Sequence, residues 1–153
     1  QYSNYEYMPI DENTIPLCRE AAAQWVETHH EEGIEDELTA INLLFDHWDA
    51  LGLVGGCIKL FGRVEAFTIG EMLNEHMALI HIEKANPTIR GLYQAINNEF
   101  IRHEFADTKF INREEDMGLP GLRMAKESYN PDHFAEKYDA RCAKAGACEE
   151  THP

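Results

Sequence analysis

The stretch from Met77 to Asn97, MALIHIEKANPTIRGLYQAIN, limits what this chain can fold into more than any other part of it. It opens with a strand pattern and breaks at Asn86-Pro87. It then continues as a helix whose apolar residues Ile89, Leu92, Tyr93, Ile96 and Phe100 recur at helical spacing. Pro87 biases Asn86 away from the helical region, which places the break where strand becomes helix. A strand, a short turn and a helix N-terminus leave backbone N–H groups pointing beyond the strand end. Proteins that alternate strands and helices commonly put their chemistry there.

Period-two alternation assigns Met77, Leu79, His81 and Glu83 to one face of this strand, and Ala78, Ile80, Ile82 and Lys84 to the other. Two polar side chains on one face of a buried strand are costly unless partnered. His81 and Glu83 therefore either mark a site or satisfy each other at the strand end; the residues alone leave both readings open.

Gln1 to Pro9 alternates aromatic and polar residues and reads as a first strand at a sheet edge. Asp11 to Thr14 supply capping side chains, and Pro16 sits just inside a helix running to about His30. The run His29-His30-Glu31-Glu32 reads as a solvated helix end rather than a metal cluster, because adjacent helical residues point in different directions. From about Glu35 a second helix carries Leu38, Ile41, Leu44, Phe45, Trp48 and Leu51 on one face, and Gly52 closes it. Gly55–Leu60 and Arg63–Leu73 then form a hairpin about Phe61-Gly62. Gly70 inside the second of these strands signals a bulge or a close approach by another group.

After the helix that follows Pro87, Thr108 to Glu115 reads as a strand parallel to the 77–84 strand across a helical crossover. Asn112-Arg113-Glu114-Glu115-Asp116 at its end is dense in donors and acceptors. Gly118-Leu119-Pro120 opens a last helix, on which Lys126 and Tyr129 are three apart and share a face. Asn130-Pro131 stops it, His133 to Arg141 reads as a final strand, and 143–153 reads as a disordered tail.

Composition narrows the functional classes. The net charge is −15, from 28 acidic residues against 13 Lys and Arg. A field of that sign opposes nucleic acid and anionic lipid at long range unless a local basic groove overcomes it, and DNA is not expected as a partner. Cys18, Cys57, Cys142 and Cys148 form no CxxC pair, so zinc is not expected, and the thiols read as reduced ones of a cytoplasmic protein. No apolar run approaches the roughly 20 residues of a membrane helix. The start at Gln1 without methionine reads as a piece of a longer protein.

The element order resembles the GNAT N-acyltransferase fold, an α+β architecture with a mixed central sheet flanked by helices. More specifically, AFTIGEMLNEHMALIHIEKANPTIRGLYQAINNEF followed by INREEDMGLPGLRMAKESYNP resembles the phosphatidylglycerol lysyltransferase C-terminal domain family. The resemblance implies a single GNAT-like domain over 1–142, the second of two tandem domains, packed against a preceding GNAT-like domain of the same protein. It also implies acyl transfer, with aminoacyl-tRNA as donor and an acceptor left open. Lys126 and Tyr129 resemble the family's Lys-x-x-Tyr pair near the tRNA phosphate and the reacting ester. Asn112, Arg113 and Asp116 join them as catalytic candidates, with Arg113 aiding the same charge. Asp116, Glu83 or Glu71 is expected to hold an ammonium, and Glu71, His81, Glu83, Arg90 and Tyr93 are the substrate-binding candidates. An internal salt-bridge network fixing the last helix is the competing account of Asn112 to Asp116 and Lys126.

The acetyl-CoA pattern of the wider fold is Gln or Arg, two residues, Gly, one residue, then Gly or Ala. Arg90 and Ala95 match it, but Tyr93 stands where glycine belongs. A side chain there hinders the close approach of backbone to pyrophosphate, so no cofactor is expected and an acyl-CoA donor is the second reading. A non-catalytic half-domain is the third.

Overall fold

The computed structural model describes residues 4–29 and 33–140. The chain divides into two compact units, Gln1–Glu115 and Asp116–Pro153, each described by itself below.

The first unit is built on a sheet in the order β1-β2-β3-β4-β5. Its elements are β1 (Glu6–Pro9), α1 (Ile15–Thr28), α2 (Ile34–Asp46), α3 (Trp48–Leu51), β2 (Val54–Leu60), β3 (Arg63–Asn74), β4 (Met77–Ala85), α4 (Leu92–Glu104) and β5 (Phe110–Asn112). β1 to β4 are antiparallel neighbours, and β5 joins β4 in parallel after the α4 crossover. The sheet is therefore mixed, as the sequence implies. The hairpin between β2 and β3 turns on Phe61 and Gly62, both at positive φ (53° and 86°), the twist a two-residue connection needs. The helix expected to run from Glu35 to Leu51 is broken at His47, and Trp48–Leu51 forms a separate short turn ended by Gly52.

One apolar cluster joins α1 and α2 to one face of the sheet through Cys18, Ala22, Ile41, Phe45, Cys57, Phe67 and Ile69. On the other face, Ile58, Ala66, Ala85, Leu92 and Ile96 pack together, and Ala78 and Ile80 meet Phe100 and Phe105. The edge strand β1 is tied to α4 by Tyr5, whose hydroxyl donates to Glu99 at 2.6 Å, and by Tyr7, whose ring stacks on His103 at 4.4 Å. Cys18 and Cys57 are buried free thiols, and the hydrogen bond with Cys57, followed by burial, pushes the Cys18 thiol up from its ordinary value. Cys142 and Cys148 lie outside the described residues, as does most of the His29–Glu32 run and the 143–153 tail.

Strict alternation fails at two β-bulges within the sheet, besides a further register shift between Met72 and Asn74 beside the β3–β4 turn. Between β2 and β3 the pairing passes from Ile58↔Ala66 to Lys59↔Val64, which leaves Glu65 as the extra residue. Between β3 and β4 it passes from Ile69↔Ile82 to Gly70↔Ile80, which leaves His81 extra. The second bulge corrects the face assignment made from the sequence. Ile80 packs toward α4 while Ile82 packs toward α1 and α2, because an unpaired residue between them resets the period. Gly70 sits at this bulge, and a Cβ there would lie 2.5 Å from the Leu79 carbonyl oxygen. Gly70→Ala is expected to destabilise the domain by about 2–3 kcal/mol, since backbone rather than a flexible side chain must yield. Urea denaturation checks this, and a midpoint equal to that of the parent protein would contradict it.

β5 is shorter than the expected Thr108 to Glu115. Asn112 Oδ1 accepts the Glu114 N–H at 2.8 Å, and Glu114 takes a positive φ of 56°, so the chain turns away after Asn112. In the second unit, α5 (Pro120–Glu127) begins with proline as expected. The final strand expected from His133 is absent among the described residues to 140. Among the described residues, no helix is long and apolar enough to cross a membrane.

Candidate active site

Ladder pairing between β4 and β5 covers Met77↔Phe110, Ala78↔Ile111 and Leu79↔Asn112. Beyond it β4 continues to Ala85 while β5 has ended, which opens a gap beside the carboxyl half of β4. Polar side chains bridge that gap in two groups, and the His81 bulge separates them.

The first group centres on Glu83, which turns toward α4. Its Oε1 accepts from Arg113 Nη2 at 2.8 Å, and its Oε2 accepts from Asn97 Nδ2 at 2.8 Å. The side chains of Glu83 and Arg113 are 11% and 21% exposed, and Asn97 is buried. A carboxylate this sheltered needs the cation and the amide to offset its lost hydration. The second group centres on His81. Its Nε2 lies 2.9 Å from Glu71 Oε1 and its Nδ1 lies 3.0 Å from Glu114 Oε1. Two carboxylates facing both ring nitrogens are satisfied together when both nitrogens carry protons. His81 and Glu83 do not pair with each other, because the bulge turns the two side chains to different partners.

The remaining candidates occupy separate places. Arg90 is exposed in the loop before α4, and Tyr93 is half-buried in the first turn of that helix. Tyr93 packs against the Ile58–Ile96 cluster, and burial pushes its phenol up from the ordinary value, an effect opposed by the Ala85 backbone and Trp25. Asn112 serves the turn after β5. Asp116 belongs to the second unit, where it accepts from Arg123 Nε and from the Gly118 N–H at 2.9 Å. The Arg123 guanidinium, followed by the Gly118 N–H, holds the Asp116 carboxyl below the usual range. Lys126 lies half-buried in the last turn of α5, and the Tyr129 N–H donates to its carbonyl at 3.2 Å.

Sequence reasoning named neither Asn97 nor Glu114 as a site residue. Asn97 carried a legible signal, a polar residue four positions after Tyr93 on the apolar stripe of α4. Glu114 was legible only as a member of the Asn112–Asp116 run; its contact with His81 spans 33 residues and depends on the turn after β5.

The five-stranded mixed sheet flanked by helices is the fold of GNAT acetyltransferases of known structure. A ribosomal-protein-alanine N-acetyltransferase from Brucella melitensis superposes with a TM-score of 0.61 at 12% identity, over 91% of this chain and 100% of that one. The chain belongs to the family described as phosphatidylglycerol lysyltransferase, C-terminal, which matches residues 1–141. A conserved protein of unknown function from Bacteroides thetaiotaomicron is 38% identical with a TM-score of 0.82, over 86% of this chain. An uncharacterised protein of Mycoplasmoides gallisepticum is 28% identical over 76 residues, half of this chain. The chain spans 46% of the length of the first of these relatives and 24% of the second.

Proposed function

We propose that this domain transfers an aminoacyl group from aminoacyl-tRNA to an amine or hydroxyl acceptor, working with a preceding GNAT-like domain of the same protein. The observation that carries the reading is Tyr93. It stands half-buried in the first turn of α4, and helical Cα–Cβ bonds tilt toward the N-terminus. A ligand pyrophosphate seated on that helix end needs backbone free of side chains. Tyr93 crowds the approach.

In this reading the reacting ester sits beside the carboxyl half of β4. Glu71, held by His81 with Glu114, is the carboxylate offered to an ammonium, because Glu83 is already occupied by Arg113 and Asn97. Lys126 and Tyr129, which match the family's Lys-x-x-Tyr pair, are the residues assigned to the tRNA phosphate and the ester. Asn112 and Asp116 keep the turn and the loop before α5 in place.

The test titrates the full-length protein with charged tRNA and with acetyl-CoA, side by side in a calorimeter. Saturable binding of charged tRNA alone is the expected result. Binding of acetyl-CoA alone would replace this reading with the CoA-dependent one. If neither binds, the non-catalytic reading takes its place.

A further inference from the structure

We propose that the cleft between α1 and the paired ends of β3 and β4 binds a free α-amino acid, reading its ammonium with Glu65 and its carboxylate with Arg63. The cleft holds about 290 Å³ and lies on the α1 side of the sheet, next to β3 and away from β5. That volume is at the small end for ligand pockets and accommodates a small zwitterion.

Three observations carry the assignment. Glu65 is the extra residue of the β2–β3 bulge, and its side chain is only 4% exposed. Bulges re-aim side chains, and this one sets a buried carboxylate in the cleft wall. One Glu65 oxygen accepts from Arg63 Nε and the other from Asn86 Nδ2 at 2.8 Å, so each retains a lone pair for a further donor. The Arg63 side chain lines the cleft and is 61% exposed, and with Nε committed to Glu65 its two Nη groups are its other donors. An ammonium and a carboxylate on one carbon match a carboxylate and a guanidinium that are themselves in contact.

The third observation is the opposite wall. Trp25 lines the cleft as its aromatic wall, its indole engaged with the Tyr93 hydroxyl. Lys84 Nζ lies 3.6 Å from the ring centroid, and His29 stacks on the ring at 4.1 Å. Lys84 is in turn paired with Glu37 at 2.6 Å. Neither Lys84 nor the acyl-transfer residues are needed to explain why Glu65 and Arg63 converge there. The proposal thus stands apart from the reading above, whose donor is an ester with no free carboxylate.

The experiment is calorimetric titration of the full-length protein with the common free amino acids, then with the methyl ester and the N-acetyl form of any that binds. At least one free amino acid is expected to bind saturably. Its ester, its N-acetyl form, and the Arg63→Gln and Glu65→Gln proteins are each expected to weaken binding by about tenfold or more. Arg63 is exposed, so Arg63→Gln decides the matter even if Glu65→Gln fails to fold. The proposal falls if no amino acid binds, if the ester binds as well as the acid, or if Arg63→Gln leaves the affinity unchanged. Loss of tRNA binding in the preceding test would leave it standing.

Discussion

Replacing Glu83 with alanine is expected to lower folding stability by about 3–5 kcal/mol. Glu83 fastens three separate segments: it sits on β4, takes a hydrogen bond from Asn97 of α4 and pairs with Arg113 past the end of β5. Removing the carboxylate leaves the buried Asn97 amide without this acceptor and a sheltered guanidinium without this counter-charge. The loss comes mainly from desolvated groups left behind rather than from the pair's own attraction. Urea denaturation of Glu83→Ala, Arg113→Ala and the double variant measures it. The double variant should be less unstable than the two single losses summed, since the second substitution removes the group stranded by the first. A Glu83→Ala loss below about 1 kcal/mol, in the range of surface pairs, would show that water already reaches the pair.

Lys126→Ala is expected to lower aminoacyl transfer about 10²–10³-fold, the usual consequence of losing one fixed electrostatic contact to the reacting group. The melting temperature should stay within a degree or two of the parent, because a half-buried position in the last turn of a short helix tolerates alanine well. Lys126→Arg should recover part of the rate, since a guanidinium restores the charge with different geometry. Transfer measured with charged tRNA, beside a melting curve, separates the possibilities. Unfolding of Lys126→Ala would make this residue part of the internal network of the last helix, and an unchanged rate would remove it from the site.

Local signals were enough to place most elements. Asn86-Pro87 marked the change from strand to helix, Phe61-Gly62 marked the hairpin, and Pro120 marked the start of α5, each through backbone restrictions that act within two or three residues. The polar candidates were legible as residue types: His81 and Glu83 stood out on an apolar strand, and the run after Ile111 was dense in donors and acceptors. What those residues do with one another was not legible. Glu83 finds Arg113 30 residues away, and His81 finds Glu71 and Glu114 at separations of 10 and 33.

By itself, then, the sequence determined most elements of the first unit, their order and the parallel return across α4, because periodicity, proline and turn residues act locally, though not the break at His47. Tertiary structure decided the faces of β4 and β3. One unpaired residue at His81 and another at Glu65 shift every side chain beyond them, and such a slip is set by cross-strand pairing that no single strand encodes. It also decided that Glu83 is a clamp and that Glu65 lines a cleft, since burial and charge pairing exist only once distant segments meet.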